Sequence, residues 1–546
     1  MKCKKWLFGL FAIFISIVTA GFISCDNNEN TVDNGNPSVD QGGDTSDNGN
    51  SNVDQGGDTS DNGNSESDET LCGVSFDTDG GSIVESQWLE KGSKIDEPLN
   101  PEKRGYDFEG WYYAGKKWSF ADGIVTEKIE LTAKWKMLES MEIFDFNSTA
   151  TTCYVNGVKD KSLSEIVVPD CVTAIRNEAF LDCNNLTDVR IGKDVQTIEE
   201  DVFWICATLT TIYVAPDNLY YQSIDGNLYD KESKTLISYP RGKVEKTFKL
   251  PDAVTSIGNF AFYLNQHLTS VEMGNKVETI GDFAFANCVS LHNINIVNGV
   301  KTIGKSAFAD CDGLMALELP HSVVSIGEHI FSTCDSLTRV EIGAGVQTIG
   351  SRAFAGCRYL TEINVSPNNV TFKSLNGNLY DKDGVTLIRY AIGKDETSFV
   401  IPDGVKTIGE YAFSLGGFLR NLEIGDEVEI ISDYAFSSCS KLDNVIIPDN
   451  VRLIGDYAFT RCAALKNLVI GTDIESIGDY AFIYSEKLTN VYYRGTKNDW
   501  TVKIAIGMAN ESLCNATRYY YIENLTDLPT DGGNYWRYVD GVPTAW

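Results

Sequence analysis

Cysteine is the residue whose number and spacing in this chain most readily suggest chemistry. The sequence contains 14 cysteines, and thiols can form disulfides, bind metals or act as nucleophiles. Eight of them fall three residues after a phenylalanine that recurs with a 23-residue spacing: Cys183, Cys206, Cys288, Cys311, Cys334, Cys357, Cys439 and Cys462. Because each of these cysteines stands at the same position of its repeat, stacked repeats should place them in one parallel column. Neighbouring parallel strands hold Cβ atoms about 4.8 Å apart, whereas a disulfide needs about 3.8 Å and converging bonds. We therefore interpret the column as small buried residues.

The positions outside this pattern leave one alternative open. Three repeats have another small residue in place of the cysteine, namely Asn265, Gly416 and Ser485, which suits an inward-facing site better than a metal ligand. Apart from Cys3 and Cys25 near the N-terminus, the cysteines outside the column are Cys72, Cys153, Cys171 and Cys514. A disulfide between Cys153 and Cys171 remains possible on the sequence alone.

Catalysis has little support in the sequence. Histidine is the most common general base in enzymes, but the four histidines occupy different phases of the repeat: His267, His292, His321 and His329. The chain has no His-Glu-x-x-His motif, nucleophile elbow or phosphate-binding loop. We therefore expect that the protein is not an enzyme and that it uses no metal or cofactor.

The 23-residue period must come from a stack of similar structural turns. A typical unit reads Val277-x-x-Ile280-Gly281-x-x-Ala284-Phe285-x-x-Cys288-x-x-Leu291-x-x-Ile294-x-Ile296. Its last two apolar residues are two apart, so they point inward from one strand. One turn buries too few side chains to offset its ordering entropy, so turns must stack and the ends must be capped.

Two insertions interrupt the period. The spacing rises to 59 residues between Phe203 and Phe262 and again between Phe354 and Phe413. The extra segments, near residues 217–250 and 368–401, share the sequence Gly-Asn-Leu-Tyr-Asp-Lys followed by Thr-Leu-Ile. Their paired apolar runs predict a hairpin in each insertion.

The N-terminal residues predict export. Three lysines precede an apolar run from Trp6 to Val18, which is typical of a signal peptide over residues 1–24. The following segment, Phe22-Ile23-Ser24-Cys25, resembles a bacterial lipobox, which implies lipidation of Cys25 and anchoring to the outer surface of the cell envelope. The alternative is cleavage after Ala20 by an ordinary signal peptidase.

Charge and composition separate a linker from folded regions. Residues 26–70 contain twelve acidic residues and no lysine or arginine, so we expect residues 25–70 to be a disordered linker. The segment Val39–Asn50 is repeated identically at Val53–Asn64. The net charge of the whole chain is −32, which disfavours nucleic acid as a partner.

Residues 71–136 form a separate aromatic-rich module. They contain Val74-Ser75-Phe76-Asp77-x-Asp79-Gly80-Gly81-Ser82, later Gly105-Tyr106-x-Phe108-x-Gly110-Trp111-Tyr112, and finally Leu131-Thr132-Ala133-Lys134-Trp135. These motifs closely resemble the Listeria-Bacteroides repeat, also called the internalin B-repeat, which implies a β-grasp-like fold. The tryptophans suit core packing, with a sugar-binding platform as the alternative.

Residues 137–493 resemble the BspA-like class of bacterial leucine-rich repeats, and the segment from Val491 to Tyr520 is similar to the C-terminal cap of that family. We therefore predict a mainly β solenoid, a leucine-rich repeat horseshoe of 23-residue turns, with residues 494–546 as cap and tail. The family implies adhesion to host matrix proteins or to other microbes. It does not identify the ligand of this chain.

The most specific binding prediction concerns the outward strand position between the two inward residues. Polarity is lost there in three consecutive C-terminal turns, at Ile446, Val469 and Tyr492. An amide column lies beside these residues: Asn421, Asn444, Asn467 and Asn490. An apolar stripe with a polar rim is typical of a protein-binding patch. The alternative is that the cap or the terminal tail folds over the stripe.

We therefore interpret the chain as an adhesin-type surface protein that binds a protein or another macromolecule on a host or microbial surface. Two other functions remain open. One is a structural envelope or inter-bacterial aggregation protein, and the other is a glycan-binding or glycan-processing surface protein.

Overall fold

The computed structural model describes residues 71–524, 526, 529, 531 and 533–545. The predicted signal peptide, Cys25 and the acidic linker lie outside the described residues. Within the described part, no helix is both long enough and apolar enough to span a bilayer.

The first folded module is a five-stranded sheet in the order β2-β1-β5-β3-β4. Its strands are β1 Leu71–Asp77, β2 Gln87–Glu90, β3 Tyr106–Tyr113, β4 Lys116–Lys117 and β5 Ile129–Met137. Strand β5 alternates buried and exposed residues, as expected for a strand with one face on a core. Trp111 is buried in that core, with Trp118 and Trp135 packed against it, whereas Trp88 is 68% exposed. The core-packing interpretation therefore fits three of the four tryptophans.

An antiparallel hairpin closes the N-terminal end of the solenoid. A single 3-10 turn, Glu139–Met141, leads into β6 Phe144–Ser148 and β7 Cys153–Val158. Strand β7 then pairs in parallel with the first short strand of the repeats. Met141, Phe144 and Val155 are buried against the first turns, so the hairpin covers apolar surface that would otherwise be exposed.

Each turn contributes one longer and one shorter strand, and these form two faces. We call the face formed by the longer strands the strand face. Its strands are β8 Glu165–Val168, β10 Asp188–Ile191, β12 Thr211–Val214, β16 Thr247–Lys249, β18 Ser270–Glu272, β20 Asn293–Ile294, β22 Ala316–Leu319, β24 Arg339–Ile342, β26 Glu362–Val365, β30 Ser398–Val400, β32 Asn421–Glu423, β34 Asn444–Ile447, β36 Asn467–Ile470 and β38 Asn490–Tyr493.

The second face, which we call the narrow face, is formed by strands of two residues each. They are β9 Ala174–Ile175, β11 Thr197–Ile198, β17 Ser256–Ile257, β19 Thr279–Ile280, β21 Thr302–Ile303, β23 Ser325–Ile326, β25 Thr348–Ile349, β31 Thr407–Ile408, β33 Ile430–Ile431, β35 Leu453–Ile454, β37 Ser476–Ile477 and β39 Ala505–Ile506. On both faces neighbouring turns pair in parallel, and partners are 23 residues apart, as in Asn444↔Asn467. The predicted β solenoid is thus confirmed.

The repeat phenylalanines stack in the interior in three runs, Phe180–Phe203, Phe262–Phe354 and Phe413–Phe482, which the two insertions separate. The rings of Phe285 and Phe308 lie 5.2 Å apart with an interplanar angle of 2°. Phe413 and Phe436 lie 4.9 Å apart at 17°. Face-to-face contact arises because identical backbones place identical rings in register, and each ring is sealed from water by its neighbours.

The cysteine column is buried, unbridged and hydrogen-bonded. All described cysteines are free thiols. The Sγ atom of Cys334 donates to the carbonyl oxygen of Phe308 in the preceding turn at 3.0 Å, and Cys439 does the same to Phe413 at 3.2 Å. Burial raises the pKa of the Cys439 thiol to about 12, so it stays protonated and remains a donor. Where serine replaces cysteine, Ser485 Oγ donates to Phe459 in the same way at 2.8 Å.

Each insertion folds as three antiparallel strands rather than two. The first contains β13 Tyr221–Ile224, β14 Asn227–Asp230 and β15 Thr235–Ser238, and the second contains β27 Phe372–Leu375, β28 Asn378–Asp381 and β29 Thr386–Arg389. The last strand of each joins the narrow face in parallel, for example β15 to β17. The predicted hairpins are the second and third strands, and the first strand was not predicted.

The C-terminal end combines two short helices with three added strands. These elements are α1 Lys497–Lys503, α2 Glu511–Asn515, β40 Thr517–Tyr521, β41 Asn534–Val539 and β42 Val542–Ala545. Thr496 caps α1 through a reciprocal capping box with Asp499. Strands β40, β41 and β42 extend the strand face beyond β38.

Candidate functional site

The strand face is divided into four sheets. Three strands form each of the sheets β12-β10-β8, β16-β18-β20 and β22-β24-β26, and eight strands form the last sheet, from β30 to β42. The two insertions account for two of the three divisions. The third division, between β20 and β22, has no insertion, and the narrow face continues across it as β19-β21-β23. The strand face alone is therefore open at that point.

Most outward side chains of the N-terminal and central turns are polar, with Val167 and Tyr213 as exposed exceptions, and many of the polar ones pair with one another. Arg190 Nε lies 2.7 Å from Glu165, and Lys249 Nζ lies 2.9 Å from Glu272. Asn364 donates to Glu341 at 2.9 Å. Exposed pairs of this kind contribute little to stability, but they leave the surface free of large apolar areas.

The predicted apolar stripe lies where the sequence placed it, but two of its three residues are covered. Val469 and Tyr492 are only 2% and 8% exposed, whereas Ile446 is 44% exposed. Trp536 of β41 packs on both buried residues, and its ring centroid lies 5.4 Å from that of Tyr492. Its indole Nε1 donates to the carbonyl oxygen of Tyr493 at 2.9 Å. The expectation of an exposed stripe is therefore wrong for Val469 and Tyr492, and the tail alternative describes them.

The amide column beside the stripe is an internal hydrogen-bonded ladder. Asn490 Nδ2 donates to Asn467 Oδ1, and Asn467 Nδ2 donates to Asn444 Oδ1, both at 2.8 Å. Asn421 Nδ2 donates to Ser398 Oγ at 3.3 Å. A donor already engaged within the chain contributes less to a ligand, so these amides are poorer rim groups than the sequence indicated.

The division between β20 and β22 coincides with a cleft of about 380 Å³. Polar side chains at its rim are Asn275, Asn295, Asn298 and Glu318, and the apolar lining is Ile296, Val297 and Pro320. Glu318 is exposed and forms no ion pair among the described residues. The cleft thus offers three amides and a carboxylate over an apolar floor.

A tyrosine ladder near the narrow face was not predicted. The rings of Tyr411, Tyr434, Tyr457 and Tyr480 stack face to face with centroids 4.6, 4.7 and 4.8 Å apart. The acids that precede three of them form a parallel column, in which Asp456 N donates to Asp433 Oδ1 at 2.7 Å. The signal was visible in the sequence, since each tyrosine stands two residues before a repeat phenylalanine. Because the faces of the tyrosine rings stack on one another, only the ring edges and the hydroxyl groups are available to a partner.

The described titratable side chains are a further set of candidate residues. Within residues 71–545, as far as they are described, no group of three or more His, Cys, Asp or Glu side chains is arranged to hold a metal ion. His329 is half-buried, and burial together with Arg352 lowers its pKa. A histidine held neutral in this way is explained by packing.

Comparison with known proteins agrees with this architecture. The BspA type leucine rich repeat region matches residues 132–234, 244–378 and 393–501 in six copies, which is more than half of the chain. The chain belongs to the BspA type leucine-rich repeat family. The Listeria-Bacteroides repeat domain matches residues 73–134. Both sequence resemblances are therefore confirmed.

Individual relatives are more distant. A Gly-rich membrane protein of Evansella cellulosilytica is 37% identical over 100 residues, which cover 18% of this chain and 12% of that protein. This chain thus matches only a small part of that relative. A leucine rich cell surface protein of Faecalibacterium prausnitzii is 23% identical, covers 66% of this chain and 96% of its own, and has a TM-score of 0.44. A leucine-rich repeat protein of Eubacterium ventriosum is 27% identical, covers 53% and 82%, and also has a TM-score of 0.44.

Proposed function

We propose that this BspA type protein is an exported, lipid-anchored surface protein of adhesin type that binds a protein or another macromolecule through its strand face. Residues 1–24 act as the signal peptide and Cys25 carries the lipid. Residues 25–70 act as a spacer between the membrane and residues 71–136. The solenoid of residues 137–493 carries the binding surface, and residues 494–546 cap it. The role is binding, not catalysis.

The cleft between β20 and β22 carries this proposal. It is lined by the outward residues Asn295 and Glu318, and it lies where the pairing between strands of the strand face is interrupted. A macromolecule lying along that face can insert one side chain or one polar loop into the cleft, which supplies the buried centre that stable interfaces require. Ile446 and the column Asn421, Asn444, Asn467 and Asn490 remain proposed secondary contacts on the same face.

A binding experiment tests the proposal directly. Protein from Asp26 onward is immobilised and exposed to host-cell matrix and to neighbouring bacteria, and the captured material is compared between variants. Glu318→Lys with Asn295→Lys fills the cleft and reverses its charge. Glu423→Lys on β32 is the control for charge reversal, because it makes the same change as Glu318→Lys on the same face away from the cleft. Ile446→Asp probes the uncovered part of the stripe.

Each outcome distinguishes one function. An adhesin that binds through the cleft is supported if the wild type captures a partner selectively, the cleft variant captures at least tenfold less, and Glu423→Lys captures as much as the wild type. Equal capture by the cleft variant and the wild type contradicts the proposal. Capture of the same chain only would indicate an aggregation or envelope role, and turnover of a glycan would indicate an enzyme.

Lipid anchoring has a separate test. Cys25→Ser in the full-length chain should release the protein from the membrane fraction and abolish incorporation of labelled fatty acid. Two or three acyl chains hold a protein on a bilayer durably because each buried methylene contributes about 0.8 kcal/mol. If the wild type incorporates no labelled fatty acid and the variant fractionates as the wild type does, the result instead supports cleavage after Ala20.

A further inference from the structure

The two insertions have related sequences but leave different spaces beside them. In the second, Arg389 at the end of β29 is 5% exposed and lies inside the seam between the turn before the insertion and the turn after it. Its guanidinium donates to the carbonyl oxygens of Tyr411, Phe354 and Ser414, the last two at 3.1 and 3.4 Å. A side chain of the protein itself therefore fills this seam.

The first insertion has Ser238 where the second has Arg389, 151 positions later. A cleft remains there, and we call it the first-insertion cleft. It is lined by Ser238, Arg241, Phe203, Trp204, Phe260 and Tyr263, together with Ile198, Glu199, Glu200, Ile237 and Tyr239. It leaves about 20 Å³ for the centre of a water-sized group, so it has room for a small planar head group but not for a sugar ring.

The carbonyl groups that hold Arg389 have counterparts in this cleft. Phe203, Phe260 and Tyr263 stand 151 positions before Phe354, Tyr411 and Ser414. The oxygens of Phe203 and Phe260 each accept one backbone hydrogen bond, from Cys206 N at 3.2 Å and from Tyr263 N at 3.0 Å. A carbonyl oxygen can accept two hydrogen bonds, so each retains capacity for a donor that enters the cleft.

Arg241 lines the first-insertion cleft without filling it. It occupies the position of Ile392 in the second insertion, and its Nε donates to the carbonyl oxygen of Leu264 at 3.2 Å. It forms no ion pair among the described residues. Trp204 also lines the cleft, and its buried indole Nε1 has no hydrogen-bond partner within the described chain. A partner that brings a peptide carbonyl as well as a cation can use that donor.

The charges around the two seams differ, although the second seam also has carboxylates, Glu328 and Glu410. The first has Glu178, Glu199, Glu200 and Asp201 where the second has His329, Gly350, Ser351 and Arg352. Arg352 lies over the ring of Tyr411 at 4.3 Å, so the second seam has a cation on an aromatic ring as well as a buried one. Of the four acids, Glu199 pairs with Arg176 at 2.9 Å. The excess of carboxylates over cations makes the first seam complementary to a positive charge.

We propose that the first-insertion cleft binds an arginine side chain of a partner polypeptide, which takes the place that Arg389 fills in the second insertion. The guanidinium donates to the free acceptor positions on Phe203, Phe260 and Tyr263. The aromatic rings of Trp204 and Tyr263 stack on it, and the carboxylates at the mouth attract it. This site is distinct from the strand-face cleft, so the two proposals succeed or fail separately.

Short peptides test the proposal by calorimetry with protein from Asp26 onward at low salt. The ligand is acetyl-Gly-Arg-Gly-amide, and the control peptide has citrulline, which is a neutral isostere of arginine. We expect a dissociation constant in the millimolar range for a single side chain, roughly −4 kcal/mol by the standard relation. The citrulline peptide should bind at least fivefold more weakly.

Variants that copy the second insertion supply matched controls. Ser238→Arg with Arg241→Ile reproduces a pair that already folds at positions 389 and 392, and it should weaken arginine binding at least tenfold. Arg241→Ile alone removes the competing cation and should strengthen binding severalfold. Circular dichroism and the thermal midpoint check that both fold. Equal binding of citrulline, or unchanged binding by the double variant, would overturn the proposal. Preference for an acetyl-glutamate peptide would also overturn it, because Arg241 and Trp204 would then be holding an anion.

Discussion

The two insertions share a framework and differ in how their seams are filled. Both contain a fully buried asparagine, Asn218 in one and Asn369 in the other, that makes the same four hydrogen bonds. In each seam the following turn also lacks the usual cysteine, with Asn265 and Gly416 in its place. Only the second insertion supplies a buried arginine to the carbonyl groups left without that donor. The two insertions thus share the asparagine hydrogen bonds that hold them in place, while the side chains at the surface of the seam differ in size and charge.

The largest losses of stability are expected from mutating the shared asparagines, and these losses should be equal in the two insertions. Asn218→Ala and Asn369→Ala each remove two donated and two accepted hydrogen bonds, all between 2.8 and 3.0 Å. At about 1 kcal/mol per bond the loss is about 3 to 4 kcal/mol. Hydrogen exchange measured by mass spectrometry should show faster exchange over β13 and over β27 respectively. A large effect in one insertion only would contradict the common framework.

Removing an arginine side chain should lower stability more in the filled seam of the second insertion than in the open seam of the first. Arg389→Ala leaves a cavity and removes donors from three carbonyl groups, and we expect a loss of about 2 to 3 kcal/mol. Arg241→Ala in the first insertion removes one bond from a half-buried side chain and should cost about 1 kcal/mol or less. Denaturation followed by hydrogen exchange compares the two. Millimolar ethylguanidinium should partly restore Arg389→Ala, whereas ethylurea, which is neutral, should not.

The thiol that precedes each insertion gives a smaller contrast. Cys357 Sγ donates to Phe331 at 2.9 Å, whereas Cys206 Sγ lies 3.8 Å from the oxygen of Phe180. Cys357→Val should therefore cost about 1 kcal/mol, and Cys206→Val should be close to neutral. Serine at position 357 should retain most of the stability, as Ser485 does in its own turn. Equal costs for the two valine variants would mean that volume, not the hydrogen bond, determines the choice of cysteine.

The smallest expected change in stability comes from the charge of Asp201, and this change depends on pH. Burial, together with Glu178, Glu199 and Glu200, raises the pKa of Asp201 above its usual 3.8. A raised native pKa means that the folded state holds the proton more tightly, so stability falls as pH rises through the window above 3.8. Asp201→Asn should remove that loss and stabilise the protein by less than about 1 kcal/mol at neutral pH. Thermal midpoints should converge in acid, and a variant that is less stable at neutral pH would contradict this account.

The repeat was readable from the sequence because its physics is local and periodic. Phe285, Cys288 and their equivalents recur in phase, so a single turn predicts the interior of every other turn. The donor role of the cysteines was missed, since packing alone explains a small buried residue and the acceptor carbonyl lies in the preceding turn. Asn218 and Asn369 were missed for a similar reason, because the hydrogen bonds that they donate reach back about one period.

The candidate sites were harder to predict because they arise where the period fails. The sequence placed Ile446, Val469 and Tyr492 in one row, but it did not show that Trp536 returns to cover two of them after a connection without repeats. The break between β20 and β22 occurs in turns of normal length, so no spacing indicates it. The empty first-insertion cleft could be recognised only by comparison with Arg389, whose side chain shows what fits there.

Hydrogen bonds between turns run along the solenoid axis, as between Asn467 and Asn490, and this gives the molecule a mechanical property. A pulling force applied between its two ends loads these rows in series and opens them one turn at a time from an end. Each released turn adds roughly 75 Å of extended chain at about 3.3 Å per residue. Trp536 clamps the last turns, so opening at the C-terminal end begins only after that ring leaves Val469 and Tyr492. Tension would therefore lengthen the molecule in discrete steps before the central turns are disturbed.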